Sequence, residues 1–275
     1  MKQLIVDSSC ELTDDMIKSM ECSMVPFIIT MDGKDFIDDE NLNMETFFET
    51  MDNSSDVIRT ACPSPDEFLK RMKGDEIYVI TITSKLSGAY QSAMIAKQMY
   101  LEKHPDALVH IFDSKSATAG ESGVALIVDE LVGMGKSFEE VVAETEKKID
   151  ESITLIALSS LNNLARNGRL PKIVGKLSKV LNIRLIARNK DGEISPLSIE
   201  RGLKRTLNSL IKKCEEYGNK VCEYAIVISQ ANAVEVAVEL KNRLMEMFPS
   251  RPIEITSMKG LSSTYAEEGG VVVFL

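Results

Sequence analysis

Three short runs rich in β-branched and apolar residues, Lys2–Val6, Glu76–Ile82 and Leu108–Phe112, are separated by stretches of helical periodicity. This alternation constrains the fold more than any other feature, because strands joined through helical crossovers pair in parallel and bury both faces. The first helical stretch is Thr13–Met20, where Thr13-Asp14-Asp15 supplies a cap and negative charge at the positive end of the helix dipole. Met44–Met51, Pro65–Met72, Ser87–Glu102, Val124–Leu131 and Phe138–Ile149 follow. Val25–Thr30 and Lys34–Ile37 flank Met31-Asp32-Gly33, a hairpin signal because Asp-Gly tolerates positive φ.

From about residue 151 the rhythm changes. Ile153–Leu158 reads as a strand, Leu161–Ala165 as a helical turn and Lys172–Leu181 as a helix. Ile183–Ala187 and Glu193–Leu197 then bracket Lys190-Asp191-Gly192, a second hairpin signal that calls for antiparallel pairing. Two amphipathic helices, Leu203–Tyr217 and Val234–Met247, surround a strand at Tyr224–Ser229, and strands at Ile253–Thr256 and Val271–Phe274 close the chain. The expected fold is α/β: a parallel-sheet α/β/α domain over residues 1–150, then an α+β domain over residues 151–275 with a mainly antiparallel sheet.

Charge narrows the classes of partner. The 275 residues carry a formal charge of −10, which argues against general nucleic-acid binding. Residues 1–150 hold 14 basic and 29 acidic side chains, whereas residues 151–275 hold 18 and 13. Between Arg166 and Arg205 there are 11 basic groups and 3 acidic ones, either a solvated basic surface or a docking strip. The apolar run Leu4-Ile5-Val6 stops at Asp7, and no stretch reaches the ~18 apolar residues of a membrane span, so neither a signal peptide nor an anchor is expected. The five cysteines are widely spaced without a Cys-x-x-Cys, which suggests a reducing cytoplasm rather than a disulfide framework or a zinc site.

Several catalytic patterns fail on inspection. Gly133-Met134-Gly135-Lys136-Ser137 resembles a phosphate loop, but the position that needs the first glycine is Glu130. Asp32–Glu40 lacks the alternating oxygen ligands of a calcium loop. Gly120-Glu121-Ser122-Gly123 is one residue short of a nucleophile elbow, and the two histidines, His104 at a helix end and His110 within an apolar strand, read as structural.

The strand exits are more informative. Asp7-Ser8-Ser9, Thr83-Ser84 and Asp113-Ser114 follow the three parallel strands, and ligands of open parallel sheets bind outside the carboxyl ends of strands. Leu86-Ser87-Gly88-Ala89 opens a long helix, where unpaired amides and the helix dipole suit an anion; Ser87 is equally an N-cap. An enzyme acting on a small acylated or phosphorylated metabolite, with Asp7, Ser87 and Asp113 at these exits, is one reading of the pattern.

The same residues carry a resemblance. Val6-Asp7-Ser8-Ser9, Val25-Pro26-Phe27, Thr60-Ala61-Cys62-Pro63-Ser64-Pro65, Thr83–Ala93 with its Leu-Ser-Gly-Ala-Tyr-Gln-Ser-Ala core, Asp113–Thr118 and Asn167-Gly168-Arg169-Leu170 resemble the DegV family nearly end to end. Characterised members of that family include the fatty-acid-binding subunits of bacterial fatty acid kinase. The resemblance implies a lipid-binding carrier, not an enzyme, with no cofactor and no metal. A long-chain fatty acid would lie in a buried tunnel, its head group held by residues 1–150 and its acyl chain covered by residues 151–275. Carried over, the carboxylate ligands are Thr60 and Ser87 with Gly88, supported by Asp7, Ser8, Cys62, Asp113 and Ser114. The partner would be a separate kinase subunit, and Arg169 in the basic strip is the expected docking residue. Two departures stand out: Cys62 replaces the family's usual glutamine, and Gly260–Gly270 replaces a glycine-rich loop bearing a histidine of the head-group network. Ser262, Ser263 and Thr264 are the donors expected to stand in for that histidine.

Overall fold

The computed structural model describes residues 2–170, 183–218 and 224–275. The expected helix over Lys172–Leu181 lies outside them. Strands β1 (Lys2–Asp7), β2 (Ser23–Val25), β6 (Glu76–Thr81) and β7 (Leu108–Asp113) form an all-parallel sheet in the order β2-β1-β6-β7. Their connections run through α1 (Asp14–Ser19) and α4 (Ala89–Lys103), and the β-branched interiors of β1 and β6 are buried on both faces as the alternation requires. The stretch read as one strand from Val25 to Thr30 is two. Pro26 offers no N–H to a ladder, so pairing breaks there, and β3 (Ile28–Met31) joins β4 (Lys34–Ile37) and β5 (Arg59–Ala61) in a separate antiparallel sheet. Helices α2 (Met44–Asn53) and α3 (Pro65–Leu69) flank β5, and Phe47, Met51 and Ile58 pack with Ile29, Met31 and Phe36 in a small core of this sheet's own.

The later residues build a six-stranded sheet. From one edge it runs β10 (Glu193–Arg201), β9 (Ile183–Lys190), β8 (Thr154–Leu158), β13 (Val271–Phe274), β11 (Ile226–Gln230) and β12 (Ile253–Ser257). Four of its pairings are antiparallel and one, β11 with β12, is parallel. The β9–β10 hairpin turns at Asp191-Gly192, where both residues take positive φ, 52° and 82°, as the sequence requires. Helices α8 (Leu203–Gly218) and α9 (Val234–Met247) bury Leu207, Leu210, Ile211, Leu240 and Leu244 against one face.

Helix α5 (Ala119–Gly133) joins the two sheets. It packs on β1 and β6 from one side and on β11 and β13 from the other, so most of it is buried and its first two turns lack a polar face. It starts five residues earlier than its apolar pattern indicates, because Ala119-Gly120-Glu121-Ser122-Gly123 reads as a loop by composition. One continuous core therefore runs from Val6 and Ile80 through Val124 and Val128 to Val272 and Phe274. Helix α6 (Phe138–Glu151) opens on a capping box between Ser137 and Glu140 and leads into the six-stranded sheet. The short helices α7 (Asn162–Arg166) and α10 (Gly260–Ala266) lie where the two parts of the chain meet.

Candidate functional site

A cavity of about 380 Å³ with a mainly apolar wall lies where the exits of the parallel strands face the six-stranded sheet. Its size is that of a small-molecule site. Phe27, Ile82, Leu86 and Leu261 line it from the first part of the chain and α10, while Ile156, Leu158, Ile194 and Val272 line it from the six-stranded sheet. Thr60, Ser87 and Gly88 also line it, together with Cys62 and Tyr265.

Local chemistry fixes each of these side chains. Ser87 N–H donates to the Thr83 carbonyl at 3.2 Å, while Ser87 Oγ accepts from the Ala89 amide at 3.2 Å. Gly88 stands at the N-cap of α4 without a side-chain cap, so the first amides of a fifteen-residue helix open beside it. A Cβ on Gly88 would sit 3.3 Å from Cys62 Sγ, which marks how closely the β5 exit approaches this helix end. Thr60 lies on β5, and its hydroxyl meets the Tyr265 hydroxyl at 2.7 Å. The arrangement offers hydroxyl and amide donors on the wall of a mainly apolar chamber, which is the chemistry for holding a small anionic or hydrogen-bond-accepting head with an apolar tail.

The supporting residues stand behind this wall. Asp7, Ser8, Asp113 and Ser114 do not line the cavity. Asp7 accepts from the Ser9 and Ile82 amides at 3.0 and 2.9 Å, and Asp113 Oδ1 from the Ser84 and Lys115 amides at 3.2 and 3.0 Å. Ser114 Oγ donates to the Ser116 carbonyl and accepts from its amide. Arg169 is half-buried on the cavity wall, its Nη1 donating to the Asn167 carbonyl.

Two of the three donors expected in place of the missing histidine are otherwise engaged. Ser263 Oγ donates to the Met258 carbonyl at 3.1 Å and Thr264 Oγ1 to the Gly260 carbonyl at 2.8 Å, so both are tied to their own segment. Ser262 lines the cavity but stands beside the Glu11 carboxyl. The next residue, Tyr265, makes the contact instead.

Sequence reasoning also missed three buried carboxyls: Glu11, Asp38 and Glu121 join Asp7 with essentially no exposure. Asp38 Oδ1 accepts from the Gly260 amide at 2.7 Å, and Oδ2 accepts from Leu261 N–H at 3.0 Å and Ser8 Oγ at 2.8 Å. Glu11 accepts from the Lys259 amide at 2.9 Å. The start of α10 is thus held between two carboxyls. Burial pushes the Asp7 carboxyl up to about 7, and burial with the neighbouring Asp7 charge holds Glu121 well above the carboxylate range.

The sign of the resulting pH effect follows. A carboxyl raised in the folded chain keeps a proton that the unfolded chain releases, so its contribution is full below the ordinary carboxylate range and is lost as pH rises. Glu121→Gln, neutral in both states, is expected to gain stability relative to the native chain as pH rises from 5 to 8. Thermal melts at the two pH values check this, and an equal difference at both would refute it.

Among the described residues no cluster of His, Cys, Asp or Glu has the arrangement to hold a metal ion, and no helix is long and apolar enough to cross a membrane. Cys10, Cys22, Cys62 and Cys214 are free thiols.

The fold and the site define a class: a two-domain α/β protein with an apolar chamber between a parallel sheet and a mainly antiparallel one. The chain belongs to the DegV family, whose model, described as an uncharacterised protein family, matches residues 2–275. A DegV domain-containing protein of Streptococcus pneumoniae is 34% identical over 278 residues, 98% of this chain and 97% of that one. Among solved structures, the Streptococcus pneumoniae Fatty Acid Kinase B3 protein loaded with linoleic acid has a TM-score of 0.91 at 32% identity, covering 100% of this chain and 98% of that one. A DegV family protein from Eubacterium eligens loaded with heptadecanoic acid has a TM-score of 0.92 at 29% identity, covering 100% and 99%.

Proposed function

We propose that this protein is a fatty-acid carrier that buries a long acyl chain in the cavity and holds the carboxylate with Thr60, Ser87 and the Gly88 end of α4. The observation that carries the reading is the cavity itself, apolar over most of its wall and lined also by Thr60, Ser87 and Gly88. Similarity to proteins loaded with linoleic and heptadecanoic acids supports the ligand class. Each buried methylene contributes about 0.8 kcal/mol, so the tail dominates affinity while the head group fixes orientation. Residues 1–150 supply the head-group end, and residues 151–275 cover much of the chain. The carrier works in the cytoplasm without a cofactor and presents its carboxylate to a separate kinase. Arg169, in the basic strip from Arg166 to Arg205, lies at the cavity wall and serves docking from there. An enzymatic reading finds less support, since Asp7 and Asp113 do not reach the cavity.

The test is direct. Mass spectrometry of the purified, denatured protein should release a fatty acid, and the emptied protein should take one up; failure of both refutes the proposal. Ser87→Ala is expected to weaken binding by roughly 10-fold or more, the effect of a hydrogen bond of about 1.5–3 kcal/mol to a charged group. Unchanged affinity in a displacement titration would remove Ser87 from the site.

A further inference from the structure

We infer that Tyr265 makes this site select a fatty acid over the ester of the same chain. The inference rests on the fatty-acid reading above and deepens it by assigning head-group specificity to one residue. Tyr265 and Thr60 both line the cavity, and their hydroxyls are 2.7 Å apart although 205 positions separate them in sequence. A bond between two hydroxyls consumes one hydrogen and leaves the other. Whichever residue donates within the pair, its partner keeps a hydrogen for the ligand, so the pair always presents a donor at this point of the wall. A carboxylate takes that hydrogen in a charge-assisted bond, whereas an ester accepts more weakly and brings an alkyl group against the donors.

Ser263 and Thr264 donate to backbone carbonyls of their own segment, while Ser262 Oγ, beside Glu11, has no hydrogen-bond partner. Among the described residues, the two cationic ones on the wall are also engaged, Lys115 with Asp150 and Arg169 with the Asn167 carbonyl. The Tyr265 ring packs against two hydrophobic clusters, and Asp38 and Glu11 pin the start of its helix, so the phenol is held in place before a ligand arrives. This is preorganisation of the kind that turns one hydrogen bond into discrimination.

The experiment is displacement of a fluorescent fatty acid from the full chain by octadecanoic acid and by its methyl ester. Tyr265→Phe keeps the ring and removes the hydroxyl. It is expected to weaken the acid by about 10-fold while moving the ester by less than about 2-fold. Tyr265→His restores a donor, and should make acid affinity tighten as pH falls through about 6.5, where imidazole gains its charge; the native chain should show no such step. Acid affinity unchanged in Tyr265→Phe, or acid and ester weakened equally, overturns the inference, the second result being what a packing role predicts. If the native chain takes up neither acid nor ester, the fatty-acid reading falls and this inference with it. Binding that survives Tyr265→Phe intact removes only the role of Tyr265.

Discussion

Asp38→Ala is expected to lower stability by about 3 kcal/mol or more and to abolish tight ligand binding. The carboxylate joins three separate segments: the exit of β1 through Ser8 Oγ, the residue just past the end of β4 that carries it, and the first two amides of α10 through Gly260 and Leu261. Its removal leaves two amides and a hydroxyl buried without their acceptor, at about 1–3 kcal/mol each before relaxation. For a chain of this size 1 kcal/mol moves the melting temperature by about 2–4 °C, so a fall of roughly 6–12 °C is expected. Asp38→Asn keeps one acceptor oxygen but turns an NH2 toward a backbone N–H, and should recover less than half of the loss. The consequence for ligand comes through α10, which carries Leu261, Ser262 and Tyr265 on the cavity wall. A melting temperature within 2 °C of the native value, or full affinity in Asp38→Ala, would show that α10 is held by other contacts.

The contrast between this anchor and the head-group hydroxyls explains what the sequence reveals. Local rules located the parallel strands, the Asp191-Gly192 turn and the Ser87-Gly88 opening of α4, because each depends on residues a few positions apart. Asp38 and Gly260 are 222 positions apart, and Thr60 and Tyr265 are 205. No periodicity encodes such pairs. The α10 segment was opaque for a related reason: Gly260-Leu261-Ser262-Ser263-Thr264 is poor in strong helix formers, and the helix gains its order from Asp38 at its start and from hydroxyls that bond back to the chain. Likewise Asp7 and Asp113 end strands as a ligand site would suggest, yet their oxygens are used by the amides of the next loops. A short polar residue after a strand marks the place of a site without saying which atom faces the ligand.

Gly123→Ala should destabilise the protein although alanine is the better helix former. In the interior of an exposed helix the exchange gains roughly 0.5–1 kcal/mol. Here α5 is clamped between the two sheets, and a methyl group on Gly123 would overlap the Phe274 ring of β13. Backbone and ring would have to separate, and overpacking of this kind costs about 1–3 kcal/mol, more than the gain in propensity. Gly133, at the far end of the same helix, has nothing within 4 Å of where a Cβ would stand, so Gly133→Ala should be neutral or stabilising by up to about 1 kcal/mol. The pair separates packing from propensity within one helix, and Gly123→Val should enlarge the loss. Displacing Phe274 also shifts β13, whose Val272 forms part of the cavity wall, so Gly123→Ala should reduce the longest acyl chain that the cavity accepts. Melting curves of the two alanine variants, followed by displacement with a series of chain lengths, decide the matter: equal shifts in both variants would mean that α5 does not form the close contact that joins the two halves.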